Sequence, residues 1–242
     1  MPKALGIIYT GSGIATAFAA PIGSYLGSIY GWRGVFLGLV PIALINLVWQ
    51  WSSLPAMPPR AVNPVSKLLG LLKRRTVAYA MLGVMLTFAG AFTSFTYFRP
   101  FLETYTQVNV TQLSLLLLGL GASGFVGTYA AGALLRHHLY PLLRWLPLIL
   151  AGLTMLLVAV RSELWPVAAA LVLWGTINAA IPVTWSTWLS RGIKDEPESG
   201  GGLLIAAIQL SIMIGGFLGG VLLDHFSAVA TLLGGSVLLP AL

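Results

Sequence analysis

The residues able to do chemistry in this chain are few, and they sit inside apolar runs. Asn178 and Trp185 are seven apart, two helical turns, so they share one face. A primary amide both donates and accepts hydrogen bonds, and an indole stacks on a flat ring. Gln209 is the deepest amide of the following run, and Phe92, Phe95 and Tyr97 crowd the end of an earlier one. Each has a second reading. Asn178 and Gln209 also suit hydrogen bonds between helices, the phenylalanines suit packing, and Trp188 suits an interfacial aromatic belt. The pattern fits recognition of a solute rather than its covalent conversion. The six acidic residues, Glu103, Glu163, Asp195, Glu196, Glu198 and Asp224, all fall at the ends of runs or between them, as do the three histidines. An intramembrane enzyme needs clustered acids, histidines or a nucleophile–base pair within the spans, and none is written there.

Those runs dominate the composition. Of 242 residues, 57% are hydrophobic and 8% charged, and the mean hydropathy is +0.90. A water-soluble domain of that composition would expose large apolar patches. A spanning helix needs ~20 apolar residues, which leaves room for about eight spans. The expectation is an all-α polytopic membrane protein in contact with the lipid bilayer. The net charge of +7 does not indicate nucleic acid, because the basic residues lie between apolar segments and form no interleaved face. The absence of cysteine excludes disulfides and thiolate metal sites. His137 and His138 are adjacent and lack companions for a metal, so neither metal nor cofactor is expected. Gly119 to Gly124 spells GxGxxG, but inside an apolar helix with no acidic residue about twenty positions on. There Gly119, Ser123, Gly127 and Ala131 read instead as a small-residue packing stripe.

In chain order, the expected segments run 4–29, 35–51, 77–98, 113–135, 142–160, 164–189, 201–223 and from 228 onward. Gly31-Trp32-Arg33-Gly34 reads as a turn between the first two. A Pro-rich basic linker follows the second, with an interfacial helix expected over 65–72. This divides the chain into 1–54, a linker 55–75, and a six-helix unit 76–242. Alternating the segment ends places Lys3, Arg60, Lys67, Lys73, Arg74, Arg75, Arg136, Arg144, Arg191 and Lys194 on one side. Arg33, Arg99 and Arg161 fall on the other. By the positive-inside rule the N-terminus and the linker are cytoplasmic. Arg99 reads as snorkelling to the interface or as pairing with Glu103, four residues on; Pro100 complicates the helical spacing.

The stretch 11–33 is apolar yet glycine-studded, with Pro21 in its middle. In water that would make a poor helix; in lipid the backbone must bond internally, and small residues become a contact face. Gly23 and Gly27 are four apart, and so are Gly216 and Gly220 near the end of the seventh segment. In both, the glycine pair follows a long apolar stretch and precedes a short turn. The second of the two comes six spans after the first, and both start on the same side, as in a parallel repeat of six-helix units.

Gly13 to Gly27, with Ala20-Pro21-Ile22-Gly23, resembles the antiporter motif in the fifth helix of the major facilitator superfamily. Gly132-Ala133-Leu134-Leu135-Arg136 is similar to that family's loop motif after the eighth helix, without its acidic residue. The whole chain resembles the bacterial drug:proton antiporter branch, and within it the purine ribonucleoside efflux transporters. The matching stretches are Pro2-Lys3-Ala4-Leu5, Ala19 to Ser24, Gly31-Trp32-Arg33, Ser53-Leu54-Pro55, Phe95 to Pro100 and Trp185-Ser186-Thr187-Trp188. Sugar-efflux members share much of this.

The resemblance implies a partial fold, helices 5–12 of twelve, and a fragment that does not transport alone. It implies efflux of purine ribonucleosides by alternating access in a cell inner membrane, with protons as the coupling ion. Sugar or drug efflux, or a truncated non-transporting membrane protein, are the alternatives. A midplane cavity would then be lined by Phe92, Phe95, Asn178, Trp185 and Gln209, with the amides reading a purine edge or a ribose hydroxyl and the aromatics stacking on the base. Gly13, Pro21, Gly23, Gly27, Gly216 and Gly220 would form the moving helix seam. No acidic residue lies within a span, so the proton carrier is expected in the missing helices.

Overall fold

A computed structural model describes residues 2–54 and 70–240; in the first helix the surroundings of residues 2–14, 16, 17, 20, 21 and 24 also lie outside the description. The described residues form helices and contain no strand. Helix α1 (Pro2–Ser53) is followed by α2 (Arg75–Phe95), the short α3 (Phe98–Phe101) and a π-helical turn (Leu102–Thr106). Then come α4 (Val110–Leu134), α5 (Leu139–Ala159), α6 (Leu164–Gly192), α7 (Pro197–His225) and α8 (Ala228–Leu238). Six helical stretches are long and apolar enough to cross a membrane: Tyr25–Ser53 within α1, and α2, α4, α5, α6 and α7. The part of α1 before Tyr25 and the eleven-residue α8 add to these. The expected interfacial helix over 65–72 lies mostly outside the described residues.

The expected turn at Gly31 to Gly34 is reduced to one residue. Gly31 takes φ 70° and ψ 165°, which kinks α1, and the helix resumes at once. That backbone conformation is open to glycine and strained for any residue with a Cβ. Before the kink, α1 leans on α4 through Phe18, Ile22, Tyr25 and Leu26 against Leu118. Beyond it, Trp32 to Leu54 are exposed apart from half-buried Gly34 and Val35.

The six helices from α2 to α8, setting aside α3, pair across two groups of three. Helix α4 packs on α6 as α7 packs on α2, and α5 packs on α6 as α8 packs on α2. Exchanging α2, α4, α5 with α6, α7, α8 therefore preserves these contacts, and α5 meets α8 at the centre of the exchange. The close approaches repeat as well. A methyl group on Gly127 of α4 would fall on the Thr176 carbonyl of α6. One on Gly215 of α7 would fall on the Ala89 carbonyl of α2. In lipid, where apolar surface alone does not drive helices together, such backbone contacts supply the packing. Of the expected stripe, Ser123, Gly127 and Ala131 are buried.

Polar contacts at both ends of the bundle fix which loops are neighbours. At one end, Arg74 donates to Asp195 at 2.6 Å and lies 3.6 Å from Glu196. At that same end Arg191 donates to the Leu135 carbonyl at 2.9 Å, which closes the end of α4. At the other end Thr106 donates to the Arg161 carbonyl at 2.8 Å, and the Arg161 guanidinium sits 5.5 Å from the Tyr105 ring centre. The two ends thus carry the loops that charge alternation grouped together.

Candidate functional site

Helix α6 positions the central candidate. Asn178 is half-buried, and its amide makes no hydrogen bond among the described residues. Four residues on, Pro182 has no N–H, so the Asn178 carbonyl lacks its usual i+4 donor. One residue therefore presents an amide and an under-used carbonyl at the same point of an apolar span. An unsatisfied polar pair in lipid is costly, and it persists where a neighbour or a solute completes it. On α7, Gln209 is exposed and likewise makes no hydrogen bond among the described residues. The sequence flagged both amides. It did not connect Pro182 with Asn178, although the i+4 spacing was legible.

The aromatic candidates are placed differently. Trp185 is 5% exposed and packs edge-on against Trp188, with ring centres 6.1 Å apart. Trp188 is 8% exposed, so it lies in the helix interface and not in an exposed interfacial belt. The two indoles are part of the packed interior with Thr184, whose hydroxyl donates to the Ala180 carbonyl. Phe95 stacks on Trp174 at 5.9 Å with planes 9° apart, and Phe92 meets Phe95 edge-on at 5.6 Å. Phe98 completes this cluster, 4.9 Å from Trp174. Trp174 is fully buried and donates its indole N–H to Thr154 at 3.0 Å. Phe92 and Phe95 remain half-buried, so each keeps one edge outside the cluster. Sequence reading missed Trp174 and Thr154; a buried indole paired with a hydroxyl twenty residues away has no local signature.

The seam glycines separate. On α7, Gly215 and Gly219 are buried and meet α2, whereas Gly216 has open space where a Cβ would stand. Gly220 lies beside the Tyr97 hydroxyl. Thr93 Oγ1 lies 2.7 Å from the Ala89 carbonyl and 3.1 Å from that of Gly215. The α2–α7 contact thus uses the glycines one position before the pair read from the sequence. On α1, Gly23 has nothing within 4 Å, and Gly27 has only Val35 Cγ2 at 3.9 Å. Gly13 and Pro21 lie in α1, but their surroundings fall outside the described residues.

Arg99 and Glu103 do pair, Nε to Oε1 at 2.9 Å. The link crosses Pro100 where α3 gives way to the π-helical turn, so the expected difficulty is absorbed by the change of helix type. Asn109, which matches a glycosylation sequon, is an N-cap: its side chain accepts from Gln112 N–H, and Gln112 accepts from Asn109 N–H in return. Among the described residues no group of three acidic, histidine or cysteine side chains could hold a metal.

The family model of the Major Facilitator Superfamily matches residues 1–219. The chain belongs to the Major Facilitator Superfamily. Membership agrees with the six helical stretches that are long and apolar enough to cross a membrane. The purine ribonucleoside efflux pump NepI of Salmonella typhimurium is 36% identical over 100% of this chain and 62% of its own length. NepI of Salmonella enteritidis is 35% identical over 96% of this chain and 58% of its own length. OpdE of Pseudomonas aeruginosa, named a transcription regulatory protein, is 42% identical over 99% of this chain and 60% of its own length. The chain thus spans about three-fifths of the length of these relatives.

Proposed function

We propose that this superfamily member serves efflux of purine ribonucleosides across a cell inner membrane, by alternating access and with protons as the coupling ion. The observation that carries the substrate reading is Asn178. Its free amide and the carbonyl left open by Pro182 offer donor and acceptor together, which suits a purine edge or a ribose hydroxyl. Gln209 on α7 supplies a second amide for the same solute, and the free edges of Phe92 and Phe95 offer apolar contact. Trp185 would act by shaping the wall behind Asn178. The NepI relatives support the class of solute. Proton coupling rests on the antiporter branch that the chain resembles. The excess of basic residues on the linker side supports a cytoplasmic placement of that end.

Export of radiolabelled inosine from cells expressing this chain within a protein of the NepI relatives' full length tests this reading. Expression should speed inosine loss, and Asn178→Ala should cut that gain about tenfold at subsaturating inosine. Unchanged inosine export alongside faster loss of a sugar would replace the nucleoside with the sugar alternative. The OpdE relative favours a second reading at 42% identity, in which the protein's effect is on gene expression. A transcript response to expression with no change in any solute flux would select it.

A further inference from the structure

The six acidic residues account for the charges of this molecule unevenly. Asp195 and Glu196 lie on Arg74, and Glu103 lies on Arg99. Glu198 makes an interaction of its own in the first turn of α7. Glu163 and Asp224 belong to the opposite end of the bundle from the α4–α5 turn. Between Glu103 and Glu163 the sequence has no acidic residue at all. Yet that interval holds Arg136, His137, His138 and Arg144, all exposed. The bond from Arg191 to the Leu135 carbonyl brings the end of α6, another cation, against this turn. The result is a patch of guanidinium charge, Arg136, Arg144 and Arg191, none of which is ion-paired with a carboxylate among the described residues.

The patch is not built as a face toward water alone. Tyr140 is 74% exposed and Trp145 56%, both in the first two turns of α5. The Arg144 guanidinium stands over the Trp145 ring, 5.9 Å from its centre. Exposed Tyr and Trp at the end of a spanning helix sit at the level of lipid headgroups. A cation held over such an indole is placed at that same depth, with its donors directed along the membrane surface. We propose that the α4–α5 turn and the start of α5 bind the phosphate of an anionic bilayer lipid. Arg136 and Arg144 supply the charge, and Tyr140 and Trp145 the bed for the glycerol backbone and upper acyl chain. At the opposite end Arg99 is paired with Glu103 and Arg161 lies on the half-buried Tyr105, while Arg33 stands over the exposed Trp32 as a single cation, unpaired among the described residues, rather than one of a cluster.

Native mass spectrometry of the purified chain in detergent tests the assignment, with phosphatidylglycerol and phosphatidylcholine titrated separately. Phosphatidylglycerol should remain bound at activation energies that strip phosphatidylcholine. Each surface cation contributes about fivefold, so Arg136→Gln and Arg144→Gln should each weaken retention by about that factor, and together by about twenty-fivefold. Arg144→Lys should keep most of it, which separates lost charge from lost fold. Arg161→Gln, at the other end, should change nothing. Equal retention of the two lipids would overturn the proposal, as would an equal loss with Arg161→Gln. Displacement of the lipid by millimolar glycerol phosphate would also overturn it, since the site would then take a soluble phosphate.

Discussion

The Tyr97 hydroxyl donates to the Gly216 carbonyl at 2.7 Å, and its ring lies across Gly219. Tyr97 thereby holds α2 against α7 by a hydrogen bond to one glycine and by contact with another. A Cβ at Gly219 would collide with the ring, while one at Gly216 would meet nothing within 4 Å. Gly219→Val should therefore destabilise the protein by about 1–3 kcal/mol through overpacking. Gly216→Ala should stay within about 0.5 kcal/mol of the parent. Tyr97→Phe, which removes only the hydrogen bond, should cost about 0.6 kcal/mol, the usual size within a bilayer. Thermal unfolding in detergent orders the three.

The buried indole of Trp174 gives a second expectation. Its N–H has one partner, the Thr154 hydroxyl, which itself donates to the Leu150 carbonyl at 2.8 Å. Thr154→Val keeps the shape and orphans the indole donor, at a cost of about 1–3 kcal/mol. Trp174→Ala should cost about 3–5 kcal/mol, because it also removes the ring on which Phe95 and Phe98 pack. A larger loss from Thr154→Val than from Trp174→Ala, measured by denaturation, would contradict this order.

Asn178 and Trp185 should part company on mutation although they share a helix. Asn178→Ala removes a side chain that makes no hydrogen bond among the described residues, so stability should move by less than about 0.5 kcal/mol. Substrate affinity should fall about tenfold, the size of one lost polar contact of ~1.4 kcal/mol. Pro182→Ala returns an N–H to the Asn178 carbonyl and should weaken affinity while leaving the amide in place. Trp185→Ala opens the interior beside Trp188 and should destabilise by about 3–5 kcal/mol. Isothermal titration with inosine, alongside unfolding of each variant, resolves the two roles.

The Arg74–Asp195 pair predicts a pH dependence outside the membrane. The hydrogen bond from Arg74, with backbone donors and the guanidinium charge, holds the Asp195 carboxyl below its ordinary value. Asp195 in turn holds the Arg74 guanidinium above its ordinary value. A depressed carboxyl contributes stability that is fully present above its unfolded pKa, about 3.9. That contribution is lost as pH falls through the lower folded value. The tie between the start of α2 and the α6–α7 loop should thus be constant from neutrality to about pH 4 and fail below it. Both groups are solvent-exposed, so molar salt should weaken the tie as well. Distance measurement between spin labels at Thr76 and Lys194 across pH follows it, and Asp195→Asn should abolish the dependence.

The sequence by itself determined that this is a bundle of apolar helices, which ends share a side, and that Asn178 and Gln209 are amides set within apolar runs. Those conclusions need only hydropathy, charge and spacing, because lipid forces each long apolar run to satisfy its backbone internally. The tertiary structure decided what the spacing left open. It assigned the α2–α7 contact to Gly215 and Gly219, where periodic reading chose Gly216 and Gly220; both pairs repeat every four residues, and only the partner helix distinguishes them. It also paired α4 with α6 as α7 is paired with α2, a correspondence that no shared motif announces. It drew Trp185 and Trp188 into the interior and left Tyr140 and Trp145 outside. An indole suits either place, since its ring is apolar and its N–H wants a partner. Which place it takes depends on what stands across from it, and that is a property of the packed helices rather than of the chain.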